Sequence, residues 1–387
     1  MVNGHENLVC MPSVFAVGSE YQIFTVFDCA ALVKVRVGTE EFFDDANGVL
    51  RSNTLIHRVN VPIELLDEAC EYTVAYRKVI ERKPYFPTSE EEKTLTVKFR
   101  PVKSGKINIY HISDAHNMVD MPVSCGRYFG DELDLLVLNG DIPNHSGNIK
   151  YFNAIYEIAA GVTGGNCPCV FSKGNHDTRG IHAEEIGQYT PTDNGRTYYT
   201  FRVGRVWGLV LDCGEDKEDG CDEYGGTVCF HRFRLKETAF IKDVIKRAEY
   251  EEQGIEYKLV ICHVPFTRNF KAPFNIEVEL FTEWARLIGE NIKPNFMLCG
   301  HTHTLEINEV GGEFDHRGQP CPVIIASSPI SREDGKGYAG GAITLDGKKA
   351  RVVFNSERGE ILGEYIVPSS KNEGGARSHA LTHRCFP

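Results

Sequence analysis

The chain has 387 residues, of which 42% are hydrophobic and 25% are charged, and its formal net charge is −12. This composition is typical of globular proteins, and the length is sufficient for two domains. The acidic balance argues against a general nucleic-acid-binding protein, because affinity for the phosphate backbone comes mostly from Lys and Arg. The apolar runs, such as residues 135–138, are strand-sized and too short to span a membrane. From the charge and these runs together, we expect neither a nucleic acid nor a membrane as a partner.

The first residues contain neither the basic segment nor the apolar segment of a signal peptide. The 13 cysteines are an odd number, and several of them lie in apolar runs, which favours reduced, buried thiols. Both observations predict a cytoplasmic location. The sequence leaves the oligomeric state open.

Residues 1–101 are predicted to form a small all-β sandwich domain. Its strands are short runs rich in β-branched and aromatic residues, at residues 21–27, 31–37, 54–61 and 71–77. Leu66 stands six residues before Tyr72, and this segment resembles the tyrosine-corner region of fibronectin type III domains. The domain is a binding module, a spacer or a dimer surface, and the sequence does not decide between them.

Residues 102–368 are predicted to form a second domain, of the α/β class. Short apolar strands alternate with segments whose apolar residues repeat at helical spacing, such as Leu280, Trp284 and Leu287. Residues 369–387, rich in Ser, Gly and basic residues, are predicted to be a flexible tail. The strands of the second domain are predicted at residues 107–112, 133–138, 169–171, 206–211, 257–262, 295–298, 323–326, 341–345, 350–354 and 361–366.

Five of these strands are each followed by a short fragment of polar residues. Because ligand sites in α/β sheets lie outside the carboxyl ends of the strands, we expect the five fragments to converge. Gly140, Gly174 and Gly300 each precede a polar residue directly, which allows a sharp backbone turn and a close approach. The fragments offer two carboxylates, one amide oxygen and four imidazoles as candidate metal ligands: Asp114, Asp141, Asn175, His116, His263, His301 and His303.

This donor set predicts a site for two divalent metal ions. Oxygen and imidazole ligands without thiolate suit Mn, Fe, Zn or Ni. Two ions about 3.5–4 Å apart can drive an in-line attack on phosphorus. The sequence therefore indicates a dinuclear phosphoesterase acting on a small phosphoester substrate.

The order D-x-H, G-D, G-N-H-D, H and G-H-x-H resembles that of the calcineurin-like metallophosphoesterases, over roughly residues 106 to 330. The resemblance implies a four-layer α/β/β/α sandwich. It also implies that Asp114, His116 and His303 bind the first ion and that Asp141 bridges the two ions. The second ion is then bound by Asn175, His263 and His301.

The same resemblance implies how the site works. A water that bridges the two ions loses a proton near neutral pH, and the resulting hydroxide attacks phosphorus. His176 corresponds to an imidazole that contacts the substrate and can protonate the leaving oxygen. Asp177 is a candidate for orienting His176, or alternatively for capping the following segment.

The β-domain in front of this core resembles that of the purple acid phosphatases. Asn144, however, occupies the position of their iron-binding tyrosine, so we expect no ferric-tyrosinate site. The G-N-H-D-x-R pattern is closer to the cyclic-nucleotide phosphodiesterase-like branch, which is the alternative for the substrate class. The candidate substrate contacts are Asn144, His145, Arg179, Tyr198 and Arg268.

Three further questions stay open at this level. The sequence does not decide between a monoesterase and a diesterase. A non-catalytic scaffold on the same fold is a less favoured alternative, because all seven ligand positions are filled. The acidic segment at residues 214–229 lacks the periodic oxygen ligands of an EF-hand and is predicted to be a solvated loop near the site.

Overall fold

The computed structural model describes residues 2, 4–102, 105–347 and 349–368. In these residues the α-helices are α1 (Ile63–Ala69), α2 (Asp120–Gly126), α3 (Asn153–Thr163), α4 (Ile186–Tyr189), α5 (Phe230–Arg247) and α6 (Val278–Leu287). The strands before residue 101 are β1 (Ser13–Val17), β2 (Glu20–Val26), β3 (Ala31–Val37), β4 (Glu40–Phe43), β5 (Asp45–Ala46), β6 (Val49–Leu50), β7 (Ile56–Pro62), β8 (Glu71–Glu81), β9 (Thr88–Ser89) and β10 (Lys93–Lys98).

The later strands are β11 (Ile107–Ile112), β12 (Leu135–Asn139), β13 (Pro168–Ser172), β14 (Tyr199–Val203), β15 (Val206–Leu211), β16 (Tyr257–Cys262), β17 (Phe296–Cys299), β18 (Glu306–Asn308), β19 (Val323–Ile325), β20 (Ser328–Arg332), β21 (Gly335–Asp346), β22 (Lys349–Ser356) and β23 (Ile361–Pro368). The predictions for residues 31–37, 107–112, 206–211 and 257–262 match observed strands at both ends. These four runs are short and predominantly apolar, which is a strand signal when they are bounded by turn residues.

Two large sheets hold most of the strands. The first has ten strands, in the order β23-β22-β21-β11-β12-β13-β1-β2-β7, with β20 paired to β21. The second has six strands, in the order β14-β15-β16-β17-β19-β18. Strands β11, β12, β13 and β1 are parallel in the first sheet, as are β15, β16, β17 and β19 in the second.

The two sheets pack face to face, and helices cover their outer faces. Leu135 and Val137 of β12 belong to the core between the sheets, together with Leu259 of β16. Leu136 and Leu138 alternate with them and pack in the cluster formed with α3. Helices α5 and α6 cover the second sheet in the same way. The chain therefore has the four-layer α/β/β/α architecture that the resemblance implied.

The residues before 101 supply strands to two layers. Strands β1, β2 and β7 continue the ten-stranded sheet, because β1 pairs in parallel with β13. Strands β10, β8, β3, β4 and β9 form a separate sheet that shares a core with them. The predicted β-region is thus present, but one of its layers is continuous with the following sheet. The domain boundary at residue 101 stays a prediction, and the tail at residues 369–387 lies outside the described residues.

The segment that resembles a tyrosine corner has a different structure. Residues 63–69 form α1, which buries Leu66 completely. The hydroxyl of Tyr72 donates to the carbonyl oxygen of Gly165 at 2.9 Å, far away in the chain. A tyrosine corner bonds to the backbone a few residues upstream, so Tyr72 instead ties the β-region to the loop before β13.

In the described part of the chain, no helix is long and apolar enough to cross a membrane.

Candidate metal centre

All seven predicted ligands lie just past the carboxyl ends of parallel strands. Strands β11, β12 and β13 of the first sheet and β16 and β17 of the second end at a common edge. Ligand atoms from different strands approach within 4.8 Å of one another there. In chain order, β11 is followed by Asp114 and His116, β12 by Asp141, β13 by Asn175, β16 by His263, and β17 by His301 and His303.

Five of these residues have a left-handed backbone, with φ of +57° at Asp114, +45° at His116, +53° at Asp141, +69° at His301 and +54° at His303. Such a conformation costs a non-glycine residue about 1–3 kcal/mol and persists only where the surroundings enforce it. Here the strand ends hold each other, because the N–H of His116 donates to the carbonyl oxygen of Asp141 at 3.0 Å. With this backbone, the donor atoms of the five residues lie in the groups of candidate ligands.

Two of the motif glycines allow a close approach that any side chain would block. A β-carbon on Gly174 would lie 2.2 Å from Oδ1 of Asp141. Gly140 has φ of +77°, and a β-carbon there would lie 2.6 Å from the His263 ring. The glycines therefore bring the ligands against each other.

The ligand atoms form two groups, which are linked through Asp141. Asp114, His116 and His303 form one group, in which Nε2 of His303 is 3.3 Å from Nε2 of His116 and 3.3 Å from Oδ1 of Asp114. Asp141, His263 and His301 form another group. Asp141 also lies within the same distance limit of His116 and His176. This carboxylate is thus placed between the two sets.

Asn175 completes the second set. Its side-chain oxygen is 3.0 Å from Nδ1 of His301. Rotating the amide by 180° would turn its nitrogen toward His301 and Asp141, and its oxygen toward Nη2 of Arg179 at 3.1 Å. Hydrogen bonding within the protein favours the rotated amide, whereas a metal ligand would require the oxygen to face inward.

The arrangement fits divalent cations. Nε2 of His263 is buried without a hydrogen-bond partner among the described residues. Oxygens of Asp141 and Asp114 lie 3.1 Å and 3.6 Å from it, but they are not aligned as hydrogen-bond acceptors. Buried carboxylates and lone-pair nitrogens at such distances are stabilised by a cation between them.

The buried carboxylates dominate the electrostatics of the site. Burial disfavours the charged form of His263, yet the charges of Asp141 and Asp114 outweigh it and raise the pKa of this ring to about 10. Burial and the charge on His263 lower the pKa of His301 to about 4. The two buried carboxylates therefore favour a positively charged group next to them.

Residues outside the motifs orient the ligands. The ring of His263 donates from Nδ1 to the carbonyl oxygen of Asn139 at 2.6 Å. The hydroxyl of Ser113 donates to Oδ2 of Asp114 at 2.6 Å. Such contacts fix the tautomer and direction of a ligand. The sequence analysis did not identify either residue, although both directly flank motif residues.

His176 lies at the edge of the ligand set, with its ring 4.7 Å from that of His116. Its Nδ1 is 2.9 Å from the carbonyl oxygen of Asn144, and its Nε2 is 3.2 Å from Nη1 of Arg179. A carbonyl oxygen only accepts and a guanidinium only donates. His176 is therefore the tautomer with the proton on Nδ1 and a lone pair on Nε2.

Asp177 has other partners than the sequence suggested. It is fully buried, and its Oδ2 accepts from the backbone N–H groups of Gly174 and Asp141 at 2.7 and 3.1 Å. Its Oδ1 has no hydrogen-bond partner among the described residues, so Asp177 does not bond to His176. Asp177 joins two motif loops, and Asn144 and Arg179 orient the His176 ring.

Three of the five predicted substrate contacts lie beside motif histidines. Asn144 and Arg179 touch His176, and Arg268 lines the same small cavity as His301. His145 is half-buried, with its ring 5.0 Å from that of Tyr151.

Tyr198 does not fit the prediction of a substrate contact. It is 6% exposed and packs in the core that covers the second sheet, with its ring 5.0 Å from that of Phe240 on α5. The ring of Tyr198 packs in this core, and its position in the sequence between two strands does not reveal that burial.

Comparison with known proteins identifies the family. The profile of the calcineurin-like phosphoesterases matches residues 107–305, just over half of the chain. No curated protein matches the chain significantly.

Among solved structures, a purple acid phosphatase from yellow lupin (Lupinus luteus) seeds is similar, with a TM-score of 0.57 and 12% identity. That alignment covers 96% of this chain and 77% of the lupin protein. A structure of PhoD aligns with a TM-score of 0.48 and 11% identity, over 95% of this chain and 93% of the other. The chain therefore belongs to the calcineurin-like phosphoesterase family, and it is a metallophosphoesterase that hydrolyses phosphoric ester bonds.

Proposed function

We propose that the chain is a dinuclear hydrolase of small phosphate esters. The observation that carries this proposal is the position of Asp141, whose carboxylate lies within 4.8 Å of His263 and His301 of one set and of His116 of the other. Asp114, His116 and His303 would hold one divalent ion, and Asn175, His263 and His301 would hold the other. Asp141 would serve both sets. The donor types suit Mn, Fe, Zn or Ni.

When bound, such a pair of ions supplies a water nucleophile at neutral pH and offsets the charge that develops on the phosphoryl oxygens. The chain positions the substrate beside it. His176 is partly exposed and held by Asn144 and Arg179, so the orientation of its ring in the site is fixed. Its lone pair on Nε2 means that protonation of the leaving oxygen requires this ring to gain a second proton first.

A diester is the substrate class that one observation favours. Arg179 pairs with Glu215 through two N–H groups, at 2.7 and 2.9 Å, so its charge is already offset. A phosphate monoester carries nearly two negative charges at neutral pH, whereas a diester carries one. The paired guanidinium therefore suits a diester better, in keeping with the cyclic-nucleotide phosphodiesterase-like alternative.

The location is inferred from the cysteines. The twelve cysteines among the described residues are free thiols. Free thiols are typical of a reducing compartment, which supports a cytoplasmic protein.

The test is hydrolysis of p-nitrophenyl phosphate and its bis ester by protein loaded with Mn. We expect turnover that a chelator abolishes and that added Mn restores, with the bis ester preferred. Asn175→Ala should lose the second ion and its turnover. A scaffold on this fold would show no hydrolysis of either ester, and no effect of Asn175→Ala on partner binding.

A further inference from the structure

The acidic loop at residues 214–229 is not solvated throughout, because Glu215, Asp216 and Tyr224 are buried. Glu218, Asp222 and Glu223 are exposed, as the sequence predicted for the whole loop. Glu215 is instead 2% exposed. A carboxylate is almost never buried unless it is paired, so its partners indicate what it does.

Every partner of Glu215 binds it through a hydrogen-bond donor. Arg179 donates to it from Nε at 2.7 Å and from Nη2 at 2.9 Å. Thr178 donates from its hydroxyl at 2.8 Å, and Tyr224 donates from its hydroxyl at 3.1 Å. Both carboxylate oxygens are therefore fully used, and the side-on pair with Arg179 fixes the plane of the guanidinium.

The backbone of Glu215 is also held. Arg234 of α5 is 1% exposed and donates to the carbonyl oxygens of Glu215 at 2.5 Å and Cys213 at 2.7 Å. Glu215 thus stands on a rigid part of the loop, next to the end of β15. It is not carried by the exposed part of the loop.

The side-on pair leaves Nη1 of Arg179 free to face the site. This nitrogen lies 3.2 Å from Nε2 of His176. Without Glu215, the long arginine side chain could turn to solvent, because it is about one third exposed, at 32%.

We propose that Glu215 is a positioning residue for the phosphoester reaction, which holds Arg179 against His176 so that both meet the phosphoryl group. This inference rests on the proposed function. Glu215 touches neither the ligands nor the substrate side of His176, and it acts through Arg179. The alternative is a residue that only anchors the loop.

The test compares Glu215→Gln, Arg179→Ala and the double variant with Glu218→Gln, a matched change at an exposed position of the same loop. Displacing a positioned group by about 1 Å can cost about 100-fold in rate. We therefore expect Glu215→Gln to lower kcat on the preferred p-nitrophenyl ester by about 10- to 100-fold. Its KM and bound metal should stay close to those of Glu218→Gln.

The double variant distinguishes the two roles. If Glu215 acts through Arg179, the double variant has the kcat of Arg179→Ala alone. Independent losses that multiply, or a wild-type kcat for Glu215→Gln, would overturn the proposal. If Glu215→Gln does not fold, Arg179→Lys decides, because one ammonium group cannot span Glu215 and His176. A wild-type kcat for Arg179→Lys contradicts the proposal, and an inactive wild-type protein contradicts the proposed function instead.

Discussion

At the scale of single residues, the metal centre depends on positions where no side chain fits. A β-carbon on Gly174 would lie 2.2 Å from Oδ1 and 2.5 Å from the backbone nitrogen of Asp141. We therefore expect Gly174→Ala to displace Asp141, to reduce the bound metal and to lower turnover by about 100-fold. Metal analysis and a Mn titration of activity measure this. Gly220→Ala is the control, because nothing lies within 4 Å of its β-carbon, and equal behaviour of the two variants contradicts the prediction.

A buried ion pair lies directly before this glycine. Nζ of Lys173 is 2.8 Å from Oδ2 of Asp212, and their side chains are 9% and 0% exposed. Lys173→Met leaves the Asp212 carboxylate buried without its counter-charge. We expect the free energy of unfolding to fall by about 3–5 kcal/mol, as for other broken buried pairs.

Chemical denaturation of the metal-free protein measures this loss. The control is Lys106→Met, which breaks the exposed pair with Asp346 and should change the free energy of unfolding by less than about 1 kcal/mol. A loss for Lys173→Met as small as that of the control would show that water reaches Asp212.

At this scale the sequence could predict which motif side chains come together, but not the residues that support them. Asp141 and His263 each follow a buried strand, and their side chains meet at 3.1 Å. Glu215 looks like its solvated neighbours, because its burial depends on Arg179 and Tyr224, which arrive from elsewhere in the chain. Tyr198 is the reverse case, since a polar-looking loop residue packs against Phe240.

At the scale of elements, helix α5 carries a buried acid on the face that covers the second sheet. Burial, followed by the charge of Asp212, raises the pKa of Glu237 well above its ordinary value of 4.5. The folded state thus binds a proton that the unfolded state releases above pH 4.5. Stability contributed by this group is fully present below that pH and is lost as the pH rises toward the folded pKa, by up to about 1.4 kcal/mol per unit.

Glu237→Gln removes this dependence but keeps an oxygen that can accept from the N–H of Asp212, as Glu237 does at 2.8 Å. We therefore expect the variant to gain stability relative to the wild type as the pH rises from about 4.5 to 8. Thermal unfolding at several pH values measures the difference. A constant difference across that range would mean that Glu237 is ionised in the folded protein.

The strands show how far local sequence patterns predict the fold. The apolar run at residues 257–262 forms the predicted strand, because a fully buried strand needs apolar side chains on both faces. Residues 13–17 have the same character and form β1, but the sequence analysis did not identify this strand. Nothing local in the run reveals that its neighbour is β13, because the choice of partner is made by packing of distant segments.

At the scale of the whole molecule, this pairing joins the β-region to the phosphoesterase fold. Val14 and Phe15 of β1 are in register with Pro168 and Cys169 of β13. Phe15 is fully buried, with its ring 6.1 Å from that of Tyr156 on α3. The purple acid phosphatase likeness covers 96% of the chain, so the fold extends over both parts.

We therefore expect residues 102–368 not to fold alone. Their separation from residues 1–101 would expose the edge of β13 and the apolar surface that β1, β2 and β7 cover. An open apolar edge strand is a site of aggregation. We predict that the fragment is insoluble or aggregated and inactive with Mn, whereas the full chain is soluble and active under the same conditions.

Size-exclusion chromatography, circular dichroism and hydrolysis of the p-nitrophenyl esters measure the solubility, folding and activity of the fragment. A monomeric fragment with full activity would show instead that the boundary at residue 101 separates two independent domains, and that the β1–β13 pairing is dispensable for the metal centre.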